Sequence, residues 1–153
     1  MKRTRIKVVG DNDTATKKQE IQDLVRLIVT HRDQGCVLRN MRCGVTAFVD
    51  ENNKIVASSS YIQADHLITR ANSATFADTR LIVCLCRNCH AWKHWNEKEY
   101  EKLVKNVLPK NTIELWDKAE EYRQAHKTYK PDWSMAIVLL KAELNKVVLN
   151  QCT

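Results

Sequence analysis

Leu81-Ile82-Val83-Cys84-Leu85-Cys86-Arg87-Asn88-Cys89-His90 decides how this chain is read. An apolar run rich in β-branched residues ends on Cys86, and a Cys-x-x-Cys-His turn follows at once. The run is a buried-strand signal, and paired thiols on a tight turn are a common way to offer a metal two ligands. Upstream, Tyr61-Ile62-Gln63-Ala64 reads as the antiparallel partner, delivering Asp65-His66 to its end. The polar stretch 69–78 between the two is a loop.

A zinc site needs four ligands, and Cys36 and Cys43 are the natural second pair, with six residues between them instead of two. Cys84 lies on the strand just before Cys86 and is either a core residue or a substitute ligand, while Cys152 sits in the tail. Asp65 and His66 are adjacent on a strand, so their side chains point to opposite faces. A carboxylate and an imidazole can hold a divalent ion, and a histidine titrating near neutrality can accept a proton from water. His90 opens the helix expected after the cysteine turn, and His94 lies one turn further on the same face. One metal for the fold and a second for phosphodiester chemistry is the expectation that these residues raise together.

Around this centre the chain is helical. Residues 1–13 read as a basic arm. A helix is expected over 14–32, with Ile21, Leu24, Val25 and Ile28 at helical spacing and Thr16 and Gln19 as a capping box. Gly35 ends it, 36–44 form a loop held by its thiols, and Val45–Val49 and Lys54–Ala57 make a hairpin about Asp50-Glu51-Asn52-Asn53. Asn96 and Glu99 form a capping pair ahead of a helix that stops at Pro109, and Asn111 or Thr112 caps the next. The last helix spans 132–150. Its Trp133, Ile137, Leu140, Leu144 and Val147 follow a four-three alternation, which suits packing on the parent domain or a homodimer seam equally. The organisation expected is an arm (1–13), a zinc-stabilised domain (14–108) and a helical C-terminal extension (109–153) able to dimerise.

The chain has 153 residues, is 44% hydrophobic and contains only 3 Gly and 2 Pro, which excludes a disordered or low-complexity chain. Its net charge of +7 favours a polyanionic partner. No stretch approaches the roughly 20 apolar residues of a membrane span, and no apolar signal core follows the basic N-terminus. A cytoplasmic setting is expected, where clustered cysteines serve as ligands.

Ala64-Asp65-His66-Leu67-Ile68, the Leu81–His90 run and Lys93 resemble an HNH endonuclease. With the loop Arg70-Ala71-Asn72-Ser73-Ala74-Thr75, the likeness narrows to phage recombination nucleases of the NinG (Rap) type and covers about 36–96. The resemblance implies an α+β fold: a ββα-metal finger clasped by four-cysteine zinc knuckles, one helix before it and a helical extension after it. It implies His66 as general base, with Asp65 and His90 holding a catalytic ion (magnesium or manganese, zinc as an alternative); His94, by its spacing from His90, is either a further ligand or a solvated helix residue. DNA, in particular branched DNA such as Holliday junctions, would be the substrate in a bacterial host cell, with Arg70, Arg87 and Lys93 on phosphates. No small-molecule cofactor is implied. Two features depart from the family. Leu81 occupies the slot of the asparagine that orients the base, leaving Thr79, Asn72 or a backbone carbonyl to do so, and the first knuckle is enlarged. A non-catalytic zinc-stabilised DNA-binding or adaptor protein is the competing expectation.

Overall fold

A computed structural model describes residues 10–68 and 74–151. The expected arm up to residue 9, Arg70, Asn72 and Cys152 lie outside the described residues. The fold is α+β: a long helix α1 (Gly10–Asp33), two antiparallel two-stranded sheets, and five further helices. β1 (Ala47–Val49) pairs with β2 (Ile55–Ala57), and β3 (Ile62–His66) with β4 (Ile82–Cys86). Then follow α2 (Arg87–Lys93), α3 (Glu97–Lys105), α4 (Lys110–Asp117), α5 (Ala119–Ala125) and α6 (Trp133–Gln151).

α1 begins about a turn earlier than its periodicity suggests, so Thr16 and Gln19 lie inside it rather than at a cap. Its buried residues Ile21, Leu24, Val25, Ile28 and Val29 recur at i, i+3, i+4, i+7 and i+8 and face the sheets. β4 is buried along its whole length. Layers cover both of its faces, which is why its sequence is continuously apolar rather than alternating. On one face Cys84 Sγ lies 4.0 Å from Thr30 Oγ1 of α1; the core on the other includes Tyr100 and Val104 of α3.

The end of α1 fixes the start of β4. Arg32 donates to the Thr79 and Ile82 carbonyls, each at 2.7 Å, and the Asp33 carboxylate accepts the Cys84 N–H at 2.9 Å. Three backbone groups at a buried strand end are thereby paired.

Several local expectations are corrected. Asn96 precedes α3 but makes no side-chain cap; its amide turns back and donates to the Trp92 carbonyl. The helix expected beyond Pro109 is two short helices divided at Lys118, and α4 starts at Lys110, ahead of the residues expected to cap it. In α6, Ile137 and Leu140 enter the core, with Trp133, Leu144 and Val147 packed against it. The helix lies along α1, so the apolar seam is used within the chain.

Gly35 makes the first knuckle possible. Its φ is +127°, and a Cβ there would lie 2.5 Å from the Val45 carbonyl oxygen and 2.6 Å from the Thr46 Cα. Backbone, not a mobile side chain, is in the way. Gly35→Ala is expected to cost at least about 2 kcal/mol in chemical denaturation, from strain and displaced backbone together. A variant as stable as the parent would contradict this packing.

Candidate functional site

Two polar clusters flank the β4–α2 junction. The first is the thiol cluster. After Gly35, the Cys36 N–H bonds the Val45 carbonyl at 3.0 Å, and the chain makes one wide helical turn, Arg39–Cys43, closed by Gly44 at φ +67°. That turn takes up the extra residues of the enlarged knuckle. Cys43 Sγ accepts the Val45 N–H at 3.5 Å, and Cys86, which caps α2, accepts the Cys89 N–H at 3.4 Å. The Sγ atoms of Cys36, Cys43, Cys86 and Cys89 all lie within 4.8 Å of one another. Ligands about 2.3 Å from a tetrahedral ion stand roughly 3.8 Å apart, so the four fit one metal ion. Among the described residues this is the one group of three or more such ligands.

The four thiols differ in their surroundings. Burial would raise the Cys86 thiol, but the Cys89 N–H and the surrounding thiols of Cys89, Cys43 and Cys36 outweigh it and hold Cys86 below the usual range. Burial, then the neighbouring Cys86, pushes Cys89 up to about 12, and burial also raises Cys36. Burial therefore disfavours ionisation of Cys36 and Cys89, and a bound metal would compensate that cost. Cys84 stays apart on the α1 side of β4, its thiol pushed up to about 12 by burial and then by the charge of Asp33.

The second cluster centres on Asp65, which is 5% exposed. Its carboxylate accepts both of its shortest bonds at Oδ2, 2.7 Å each, from Lys93 Nζ and from the Tyr100 hydroxyl, while Lys93 also reaches Oδ1 at 2.9 Å. His90 Nε2 lies 3.5 Å from Oδ1. Burial, followed by the Asp65 charge, raises Tyr100 well above the ordinary phenol range, so it remains a neutral donor. Lys93, expected at a phosphate, is thus committed to Asp65. His94 is exposed, its ring 4.8 Å from that of His90 and edge-on to it.

His66 projects to the opposite face of the β3–β4 pair, as the register of Asp65 with Val83 and His66 with Ile82 requires. Its Nε2 lies 3.1 Å from the Phe76 carbonyl, and its ring is tilted over that of Phe76, which packs edge-on against Trp133 of α6. With Nε2 donating, the proton-accepting nitrogen is Nδ1, which is buried. Leu81 is buried in the core, and Thr79 donates instead to Glu143 of α6 at 2.6 Å. Of the described groups expected to orient His66, the backbone carbonyl, that of Phe76, is the one within hydrogen-bond reach of it. Arg87 is exposed at the start of α2.

The sequence does not reveal Tyr100, Lys93 as a partner of Asp65, or that Phe76 supplies the carbonyl. An apolar helix seam, a surface-type cation and a backbone group carry no signature of such roles. No helix among the described residues is long and apolar enough to cross a membrane. Comparison with protein-family models, curated proteins and solved structures returns no match.

Two outcomes follow from this geometry. Elemental analysis of purified protein is expected to find about one tightly held metal ion per chain, lost in Cys43→Ser or Cys89→Ser and retained in Cys84→Ser. Loss from Cys84→Ser would contradict the assignment. In thermal or denaturant unfolding, Lys93→Met is expected to cost about 2–3 kcal/mol, because Asp65 then keeps a buried charge with no ammonium beside it. Asp65→Asn, which leaves Lys93 free to turn toward solvent, should cost less; the reverse order would refute the pairing described.

Proposed function

We propose that this chain is a metal-dependent DNA endonuclease built on an HNH-type ββα-metal finger, with Cys36, Cys43, Cys86 and Cys89 holding a structural zinc. The observation that carries the reading is the closeness of Asp65 Oδ1 and His90 Nε2, 3.5 Å apart where β3 meets α2, with His66 next in the strand. Two ligands roughly 2.1 Å from one ion stand about 3.0–3.6 Å apart, so the pair suits a shared divalent cation that retains several waters. The Lys93 ammonium on both carboxylate oxygens marks the same spot as one that favours positive charge.

Such an ion, magnesium or manganese with zinc as the alternative, would supply Lewis-acid neutralisation of the scissile phosphate. The chain's own groups supply the rest. His66 is the general base of this reading. Its ring is held by the Phe76 carbonyl on the face of β3 opposite Asp65, with Nδ1 buried, so it takes the water's proton only once the side chain has turned toward the Asp65–His90 side. Arg87 and Arg70 meet flanking phosphates without sequence preference. Tyr100 keeps Asp65 in place by donating to Oδ2, and Lys93 adds its charge to the same site.

Action on branched DNA in phage or prophage recombination, within a bacterial host, is the narrower form of the proposal and rests on the family resemblance. A homodimer through α6 would use the face opposite the seam, where Met135, Val138, Leu139 and Leu149 are exposed.

A second reading, a zinc-stabilised DNA-binding protein without activity, draws on two observations. Lys93 already neutralises Asp65, and Nδ1 of His66 is buried. The test is cleavage of linear, nicked, single-stranded and four-way-junction DNA with and without added Mg²⁺ or Mn²⁺. The nuclease reading expects metal-dependent cutting, lost by at least about a hundredfold in His66→Ala with DNA affinity retained. Binding without cutting under every ion would leave the second reading.

A further inference from the structure

Trp95 is 89% exposed, an extreme for the largest aromatic side chain. Its backbone is well fixed: the Trp95 N–H bonds the Trp92 carbonyl at 3.1 Å, and the next residue's N–H bonds that of Lys93 at 3.1 Å. The indole therefore stands out from a rigid turn and not from a loose tail.

Its neighbours on the surface share one chemistry. Arg87, Asn88, Ala91, His94 and Trp95 are the exposed positions of α2 and the turn that follows it. At about 100° per residue they fall within an arc of roughly 120°, a single outward face. No carboxylate stands among them. The exposed Arg42 guanidinium, from the wide turn of the first knuckle, stacks 3.7 Å from the ring centroid of Trp92 and extends the cationic surface across the thiol cluster. Carboxylates return at Glu97 and Glu99, where α3 opens beyond Trp95. The face thus runs from two guanidinium groups, suited to phosphates, to an aromatic plane bordered by the mixed charges of Glu97, Lys98 and Glu99, suited to an uncharged ring.

From this order we infer that the outer face of α2 binds DNA through an unpaired base stacked on Trp95, with phosphates of the same strand on Arg87 and Arg42. The inference deepens the nuclease reading and rests on it: it names as substrate DNA that offers unstacked bases, single strands or the open centre of a branch, in preference to uninterrupted duplex. Aromatic stacking tolerates any base because each has a π face, so the selection is for strand state and not for sequence.

Affinity is measured by fluorescence anisotropy on the metal-loaded protein without added Mg²⁺, using a labelled oligo(dT) and a duplex of equal length. Trp95→Ala should weaken oligo(dT) binding roughly tenfold or more and duplex binding less than about twofold, while Trp95→Phe keeps most of the affinity. Because the side chain is almost wholly exposed, Trp95→Ala should melt with the parent protein, which separates lost stacking from lost folding. Arg42→Gln and Arg87→Gln should weaken both DNAs alike, each flattening the salt dependence by about one unit of slope. Unchanged oligo(dT) affinity in Trp95→Ala, or an equal loss on both DNAs, would overturn the inference and leave the face to a protein partner. If the parent cuts DNA and Trp95→Ala does not alter strand preference, the inference alone fails. If the parent binds no DNA, the nuclease reading fails with it.

Discussion

A carboxylate as buried as that of Asp65 must be met by positive charge, and the geometry around the β4–α2 junction answers that requirement. Lys93 of α2 supplies that charge, the neutral Tyr100 hydroxyl of α3 adds a hydrogen bond, and His90 of α2 lies 3.5 Å from Oδ1. One acidic side chain at a strand end thereby fixes how both helices lie against the hairpin. The same requirement is what the proposed reading builds on, since a divalent ion would meet the carboxylate as an ammonium does. Lys93 fills that role from within the chain, and its flexible stem is the kind of partner that an incoming divalent ion can displace.

The thiol cluster constrains the same junction from the other side. Cys36 and Cys43 belong to the segment after α1, Cys86 and Cys89 to the end of β4 and the start of α2. An ion bound by all four would add to the Val37 N–H bond to the Cys84 carbonyl as a second tie between these segments, and would hold the α2 start relative to α1. His90 follows Cys89 directly, so the position of its imidazole against Asp65 inherits the rigidity of the knuckle. Against burial, the Cys89 N–H and the neighbouring thiols hold Cys86 below the usual thiol range.

Where local chemistry decides the structure, the sequence is informative. The β3–β4 pair, the convergence of the two thiol pairs and the opposite orientation of Asp65 and His66 are all legible, since strand alternation and thiol spacing are local rules. Cys43 is readable in spite of its wide spacing because Gly35 and Gly44 bracket the segment, and both adopt positive φ. What escapes reading depends on long-range encounters. Lys93 lies 28 residues from Asp65 and Tyr100 lies 35 away, and neither pair leaves a periodic trace. The Phe76 carbonyl that holds His66 is a backbone group available at any residue. The α6 seam is legible as apolar, yet burial stabilises a helix equally against its own chain or another, so periodicity does not choose between them. Nor does it reveal the opposite outcome at Trp95, an aromatic left in solvent.

In the proposed reading the two clusters divide the work: sulfur ligands would fix the scaffold, and the Asp65 pocket would exchange its cation. The most direct measurement is anomalous diffraction at the manganese edge from crystals of the protein soaked in Mn²⁺. A peak bonded to Asp65 and His90 is expected, with the Lys93 ammonium displaced from the carboxylate. A map with Lys93 still on Asp65 and no manganese beside His90 would contradict the exchangeable site.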